Sequence, residues 1–178
     1  MTEVYYEWDA GQGIFTAKPK PGPRSRPVEY RLATNADRTG IIGFYHACAE
    51  TEPEVYSLPE DFEEIKERVM DTDYERHESF ALALALSDGR IAGEVSLSWY
   101  FDDYTVRRIG VIPGLWILKP YRLAGIGRGL ISFARQESTR LGIHRVELVV
   151  GKDNLAARRF YERVGFVVRD MGQAILEL

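Results

Sequence analysis

Leu115-Trp116-Ile117-Leu118-Lys119-Pro120-Tyr121-Arg122-Leu123-Ala124-Gly125-Ile126-Gly127-Arg128-Gly129-Leu130 is the stretch from which the fold can be read. Leu115 to Leu118 is an apolar run that favours a strand, and Lys119-Pro120 turns it. Glycines then alternate with other residues until a helical pattern sets in with Leu130, Ile131, Phe133 and Ala134. A strand, a glycine loop and a helix start in this order make an anion site. The first N–H groups of a helix lack internal partners, and the macrodipole adds roughly half a positive charge there. Gly125 and Gly127 let the backbone approach a phosphate with no Cβ in the way.

A second segment completes the pattern. Residues 146–166 carry a strand-like run, then Asn154, Ala157, Tyr161, Gly165 and Phe166. Together with Arg122-x-x-Gly125-x-Gly127, these residues resemble the GCN5-related N-acetyltransferase (GNAT) superfamily. That family has a Gln/Arg-x-x-Gly-x-Gly/Ala pyrophosphate loop followed by Asn, Ala, Tyr and Gly-Phe. The resemblance covers residues 28–178 and implies a single α/β (α+β) domain. Its mixed central sheet is splayed between the fourth and fifth strands of the domain, with helices on both faces. A dinucleotide-binding loop is the rival reading. It lacks its third glycine, because position 130 is Leu130, and Glu147, at the distance of a ribose-binding acid, lies inside a strand.

The resemblance implies acetyl-CoA as co-substrate and assigns residues to it. Amides from Arg122 through Leu123, Ala124, Gly125, Ile126 and Gly127 are expected to hold the pyrophosphate, and Arg128 adds charge. Leu115, Trp116 and Ile117 are expected to pair their backbone with pantetheine like an added strand. The amide near Ile117 or Leu118 would polarise the acetyl carbonyl, a task that needs no particular side chain. Asn154 is expected near the pantetheine region, and it also suits a helix cap. Tyr161 matches the family's proton donor to the leaving thiolate, although it also completes an apolar stripe with Ala157, Phe160 and Val164.

The general base is not where relatives carry it: Val111 and Val149 stand in those places. Glu94, on a strand face with Ser96, Ser98 and Tyr100, and Glu147, on a face with Val149, are the candidates. Either also reads as an ordinary surface acid. Glu50, Glu52 and Glu54 precede the cap of a second helix, in the region that forms one wall of the acceptor groove in relatives. With Asp102 and Asp103 they suggest a cationic acceptor. The three histidines are scattered and Cys48 stands alone, so no metal site is proposed.

Composition sets the broader frame. With 178 residues, 45% hydrophobic and 28% charged, the chain is expected to be one globular domain. A net charge of −4 argues against nucleic acid as a partner. Apolar runs such as Phe80 to Leu86 are too short to span a membrane, and residues 1–30 lack a signal-peptide pattern. A single cysteine suits a reducing compartment, and a cytoplasmic location is expected.

Residues 1–27 read as an N-terminal arm, with short strands at Val4 to Trp8 and Gly13 to Thr16. A basic, proline-rich linker from Lys18 to Pro27 follows. From Val28 the pattern predicts strand, helix, helix, strand, strand, strand, helix, strand, helix, strand, strand. Ser57 to Glu60 is a capping box for the second helix. Ser87 to Arg90 is a hairpin turn, and Arg107 to Leu118 is a strand interrupted at Pro113-Gly114. His144 to Val150, Phe166 to Arg169 and Gln173 to Leu178 complete the expected strands.

The expected activity is acetyl transfer from acetyl-CoA to a primary amine of a small cationic molecule, by direct attack in a ternary complex. A protein N-terminus or lysine is the alternative acceptor, and a CoA-binding or interaction module on the same fold is the non-enzymatic rival. The reading leaves room for a homodimer.

Overall fold

A computed structural model describes residues 4–9, 14–19, 27–52 and 62–170. They fall into two compact units, Met1–Glu147 and Leu148–Leu178.

In the first unit, β1 (Val4–Asp9) and β2 (Ile14–Pro19) form an antiparallel pair, with Val4 opposite Pro19 and Asp9 opposite Ile14. The larger sheet contains β3 (Val28–Leu32), β4 (Phe80–Ser87), β5 (Arg90–Asp102), β6 (Arg107–Val111) and β8 (Ile143–Glu147), in the order β3-β4-β5-β6-β8. A short β7 (Leu115–Ile117) also pairs with β5. All pairings are antiparallel except β6 with β8, which is parallel. The sheet is thus open and mixed.

β4 explains why helices cover both faces. Phe-Ala-Leu-Ala-Leu-Ala-Leu has no polar alternate, so both sides of the strand are buried. Leu82, Leu84 and Leu86 join Ala33, Ile41 and Val69 in the core beneath α1 (Arg38–Thr51) and α2 (Phe62–Asp71). The opposite face carries Ala81, Ala83 and Ala85, small enough for α3 (Ile126–Arg140) to pack closely through Leu130, Ile131 and Ala134. Gly40 of α1 lies over Ile91, whose side chain would stand 3.4 Å from an added Cβ, an ordinary contact. Asp37, at the start of α1, accepts two hydrogen bonds from Arg31 at 2.7 and 2.8 Å. Its carboxyl is thereby held down at about 2.

The turn at Ser87-Asp88-Gly89-Arg90 forms as expected, with positive φ at both central residues. The strand expected over Arg107 to Leu118 is instead two strands. Ser98 pairs with Val111 and Val95 with Leu115, so four steps on one side match three on the other. Pro113 has no N–H for a ladder, and the extra residue is taken up there. This break parts the sheet: β8 follows β6 as far as Glu147, whereas β7 continues along β5.

Other limits differ as well: β2 runs on to Pro19, into the stretch read as linker, rather than ending at Thr16. β8 ends at Glu147 rather than Val150. Phe166 to Arg169 is not a strand; Gly165 at φ +99° ends the preceding helix and Val167 is 80% exposed. Glu54, the capping box at Ser57 to Glu60, and Gln173 to Leu178 lie outside the described residues. In the second unit, α4 (Leu155–Arg163) turns its less exposed side through Ala157, Phe160 and Tyr161.

Candidate active site

The edge of β7 follows from ladder parity. The Ser96 N–H donates to the Gly114 carbonyl at 3.1 Å, and the Leu118 N–H donates to the Ala92 carbonyl at 3.0 Å. Alternate residues of an antiparallel strand point their amides to opposite sides. Trp116 and Leu118 therefore spend theirs on β5, and Leu115 and Ile117 turn theirs to the other edge. Among the described residues no second strand pairs with β7 there. Of the two amides expected to polarise a carbonyl, that of Leu118 is consumed inside the sheet and that of Ile117 faces outward.

After β7 the chain makes one short helical turn at Lys119–Tyr121 and enters the glycine loop. Leu123 at φ +62° is fully exposed, and Gly125 at φ +83° forms the N-cap of α3 without a side-chain cap. The first α3 hydrogen bond runs from the Gly129 N–H to the Gly125 carbonyl at 3.1 Å. The amides of Ile126, Gly127 and Arg128 precede it and have no acceptor within the helix. This donor set fits a pyrophosphate, with Arg128 exposed on the same turn.

Arg122 crosses from this loop to the end of α1. Its Nε donates to the Ile117 carbonyl at 2.9 Å, and its Nη1 donates to Glu52 Oε1 at 2.8 Å. A second contact, from Nη2 to Glu52 Oε2, makes the pair bidentate. The guanidinium holds Glu52 below the usual carboxylate range, with a smaller contribution from Lys119. From sequence Glu52 reads as an acceptor acid, and nothing in its neighbourhood signals an arginine partner seventy residues away.

Glu94 occupies the middle of β5, opposite Leu84 on one side and Trp116 on the other. It therefore faces α1 and α2. Among the described residues it is the one buried carboxyl, 2% exposed, and its Oε2 has no hydrogen-bond partner. Burial alone pushes it up to about 8. Tyr74, which follows α2, lies near enough to be affected by its charge. Glu147, by contrast, is exposed and paired with Arg145 at 2.7 Å.

The other acids have local partners or open surroundings. Asp102 closes the β5–β6 turn, accepting from the Tyr104 N–H at 3.1 Å and the Thr105 hydroxyl at 2.6 Å. Asp103 is exposed beside it. Glu50 lies 3.7 Å from His46 Nδ1 on the surface of α1.

In the second unit, Asn154 caps α4: its Oδ1 accepts from the Ala157 N–H at 3.1 Å. The Tyr161 ring meets Phe160 and Phe166 edge to face, with centroids 5.3 and 5.6 Å apart. Burial raises the Tyr161 phenol.

The family model described as "Acetyltransferase (GNAT) family" matches residues 41–166. An aminoalkylphosphonate N-acetyltransferase of Salmonella typhimurium is 35% identical over 83 residues, 47% of this chain and 54% of that protein. The L-ornithine N5-acetyltransferase NATA1 of Arabidopsis thaliana is 30% identical over 80 residues, 45% of this chain and 35% of its own. The matched stretch thus spans about half the length of the first relative and about a third of the second. The fold is similar to that of AAC(6')-Iy, solved with the bisubstrate analogue CoA-S-monomethyl-acetylneamine. The TM-score there is 0.66 at 15% identity, covering 85% of this chain and 99% of that one.

Proposed function

The chain belongs to the GNAT family of acetyltransferases, and from that premise we propose that it moves an acetyl group from acetyl-CoA to the primary amine of a small cationic molecule. The observation that carries this reading is the β7 edge, on which no second strand pairs among the described residues, joined through the Lys119–Tyr121 turn and the glycine loop to the uncapped first turn of α3. The Leu115 amide and carbonyl and the Ile117 amide suit the amide groups of pantetheine, and Ile126 to Arg128 suit a pyrophosphate. Bound acetyl-CoA would supply the acyl group as a reactive thioester.

This chain's residues do the rest. The Ile117 N–H offers a donor to a thioester carbonyl oxygen, where negative charge develops during attack. Glu94 is the general base, supported by its burial on the acceptor-side face and its unpartnered oxygen. An arriving ammonium would favour the carboxylate, which then takes the proton from nitrogen. The amine forms its N–C bond as the C–S bond breaks, and Tyr161 gives its phenolic proton to the departing thiolate. Asn154 holds the start of α4, the helix that carries Tyr161. The names of the two relatives, acting on an aminoalkylphosphonate and on ornithine, support a small amine. Glu50 and Asp103, both exposed acids, are the groups proposed to attract its charge.

Thiol release from acetyl-CoA, measured with polyamines, diamino acids, aminoalkyl acids and a lysine peptide, tests the reading. Turnover is expected with small amines. No release with any amine at millimolar concentration would overturn it, and release with the peptide alone would move the acceptor to protein.

A further inference from the structure

Arg122 and Glu52 join the two sides of the site along the backbone. Glu52 is rooted at the end of α1, where its own N–H donates to the Cys48 carbonyl at 3.0 Å and Ala47, Cys48 and Ala49 are buried. Arg122 is less anchored: it sits in the loop, and its side chain is more than twice as exposed as that of Glu52, 38% against 16%. The carboxylate is therefore the fixed partner and the guanidinium the held one. A bidentate grip also fixes the plane of the guanidinium. That leaves Nε aimed at the Ile117 carbonyl, on the outward edge of β7.

We propose that Glu52 is a positioning residue: by holding Arg122 it fixes the last peptide of β7, and so the direction in which the Ile117 amide is offered. This rests on the acetyl-transfer reading and deepens it. The grip occupies the Ile117 carbonyl, so an extended partner on this edge is left with the Leu115 amide and carbonyl and the Ile117 amide. It also neutralises Glu52, which then does not serve as an anchor for a cationic acceptor. The end of the acceptor-side helix and the cofactor edge become one mechanical unit, in which a shift of α1 is felt at the amide that polarises the thioester.

The test is steady-state kinetics on the full chain with Glu52→Gln, Arg122→Lys and the exchange Glu52→Arg/Arg122→Glu, using one monocationic and one dicationic amine. Gln keeps the size of Glu52 and loses the charge. The expected result is a fall in kcat on the order of tenfold to a hundredfold, the cost of a misplaced group. KM for the two amines should move alike, and the exchanged pair should recover part of kcat. A selective rise in KM for the dication, with kcat unchanged, would overturn the proposal and make Glu52 an acceptor anchor. A lower melting temperature with unchanged kinetics would reduce the pair to a strut. The Ile117 amide resonance, followed as CoA is added, separates this from failure of the acetyl-transfer reading. Wild-type protein that transfers to no amine, but whose Ile117 resonance shifts with CoA and does not in Glu52→Gln, would sink the reading and keep the clamp. Equal shifts in both proteins would sink the clamp.

Discussion

Glu94 and Trp116 stand opposite each other across β5 and β7, on the face of the sheet that carries α1 and α2. The pairing sets a carboxyl beside a large apolar ring at the edge proposed to receive the thioester. With Leu84 on its other flank, Glu94 has no charged partner among the described residues to offset its burial, which raises it to about 8.

That position has a stability consequence of defined sign. Between the ordinary glutamate value near 4.3 and about 8, the folded protein holds a proton that the unfolded chain has lost. Stability therefore falls as pH rises through this window and levels off above it. Glu94→Gln should flatten this dependence and raise the melting temperature at pH 8 by an amount worth a few kcal/mol, on the order set by the shift. The same variant should lower turnover within roughly the 10²–10⁴ range of a general base and remove the rise of kcat/KM near pH 8. Melting curves and pH–rate profiles on both proteins check the two halves. A stabilised variant with unchanged turnover would leave Glu94 a buried acid and nothing more.

The uncapped start of α3 predicts an electrostatic effect on ligand binding. CoA that binds only the folded state at a hundred times its Kd should add about 2.7 kcal/mol to stability. Arg128→Glu reverses a charge on the exposed side of this turn, where the helix dipole favours anions. It should weaken CoA at least about tenfold while leaving the ligand-free melting temperature nearly unchanged. Calorimetric titration of both proteins with CoA measures this, and equal affinities would remove Arg128 from the site.

Gly129, next along the helix, owes its identity to a neighbour. A Cβ there would run into the Tyr30 hydroxyl and ring from β3. Alanine normally favours a helix over glycine by roughly 1 kcal/mol. Here the clash should reverse that, so that Gly129→Ala destabilises by about 1–3 kcal/mol. Adding Tyr30→Ala should recover the loss caused by the clash. Urea unfolding of the single and double variants reads the coupling directly.

How much of this was legible in the sequence depends on range. The Ser87 to Arg90 turn, the Asn154 cap and the glycine loop are written within a few residues, and each was readable as a local constraint. Pro113-Gly114 announced an interruption, but its outcome as two strands depends on the register against β5. That register also decides that Leu118 spends its amide inward and Ile117 does not. Glu94 reads as one polar residue on a face shared with two serines and a tyrosine; its burial comes from Leu84, Trp116 and the helices above. Arg122 and Glu52 meet only because α1 and the loop end at the same place. Phe166-Val167-Val168 misled because β-favouring residues near a chain's end read as a strand whether or not a partner strand accepts them.

Tyr161 supplies the last prediction, because its two readings differ in a measurable way. As a member of the Phe160–Phe166 aromatic group it contributes packing, which Phe would preserve. As proton donor it contributes the hydroxyl, which Phe removes. Burial raises the phenol above its ordinary value near 10, so it stays protonated across the working range and is a donor at every pH of interest. Tyr161→Phe should then keep CoA affinity and the melting temperature while single-turnover transfer slows roughly 10²–10⁴-fold. The decisive comparison uses a second acetyl donor whose thiol is much more acidic than a thiol near 8.5. Its thiolate leaves without needing a proton, so the penalty of the Phe variant should shrink toward unity with that donor. A penalty equal for both donors would mean that the hydroxyl orients or packs and gives no proton, and a variant as fast as wild type with acetyl-CoA would return Tyr161 to the aromatic group alone.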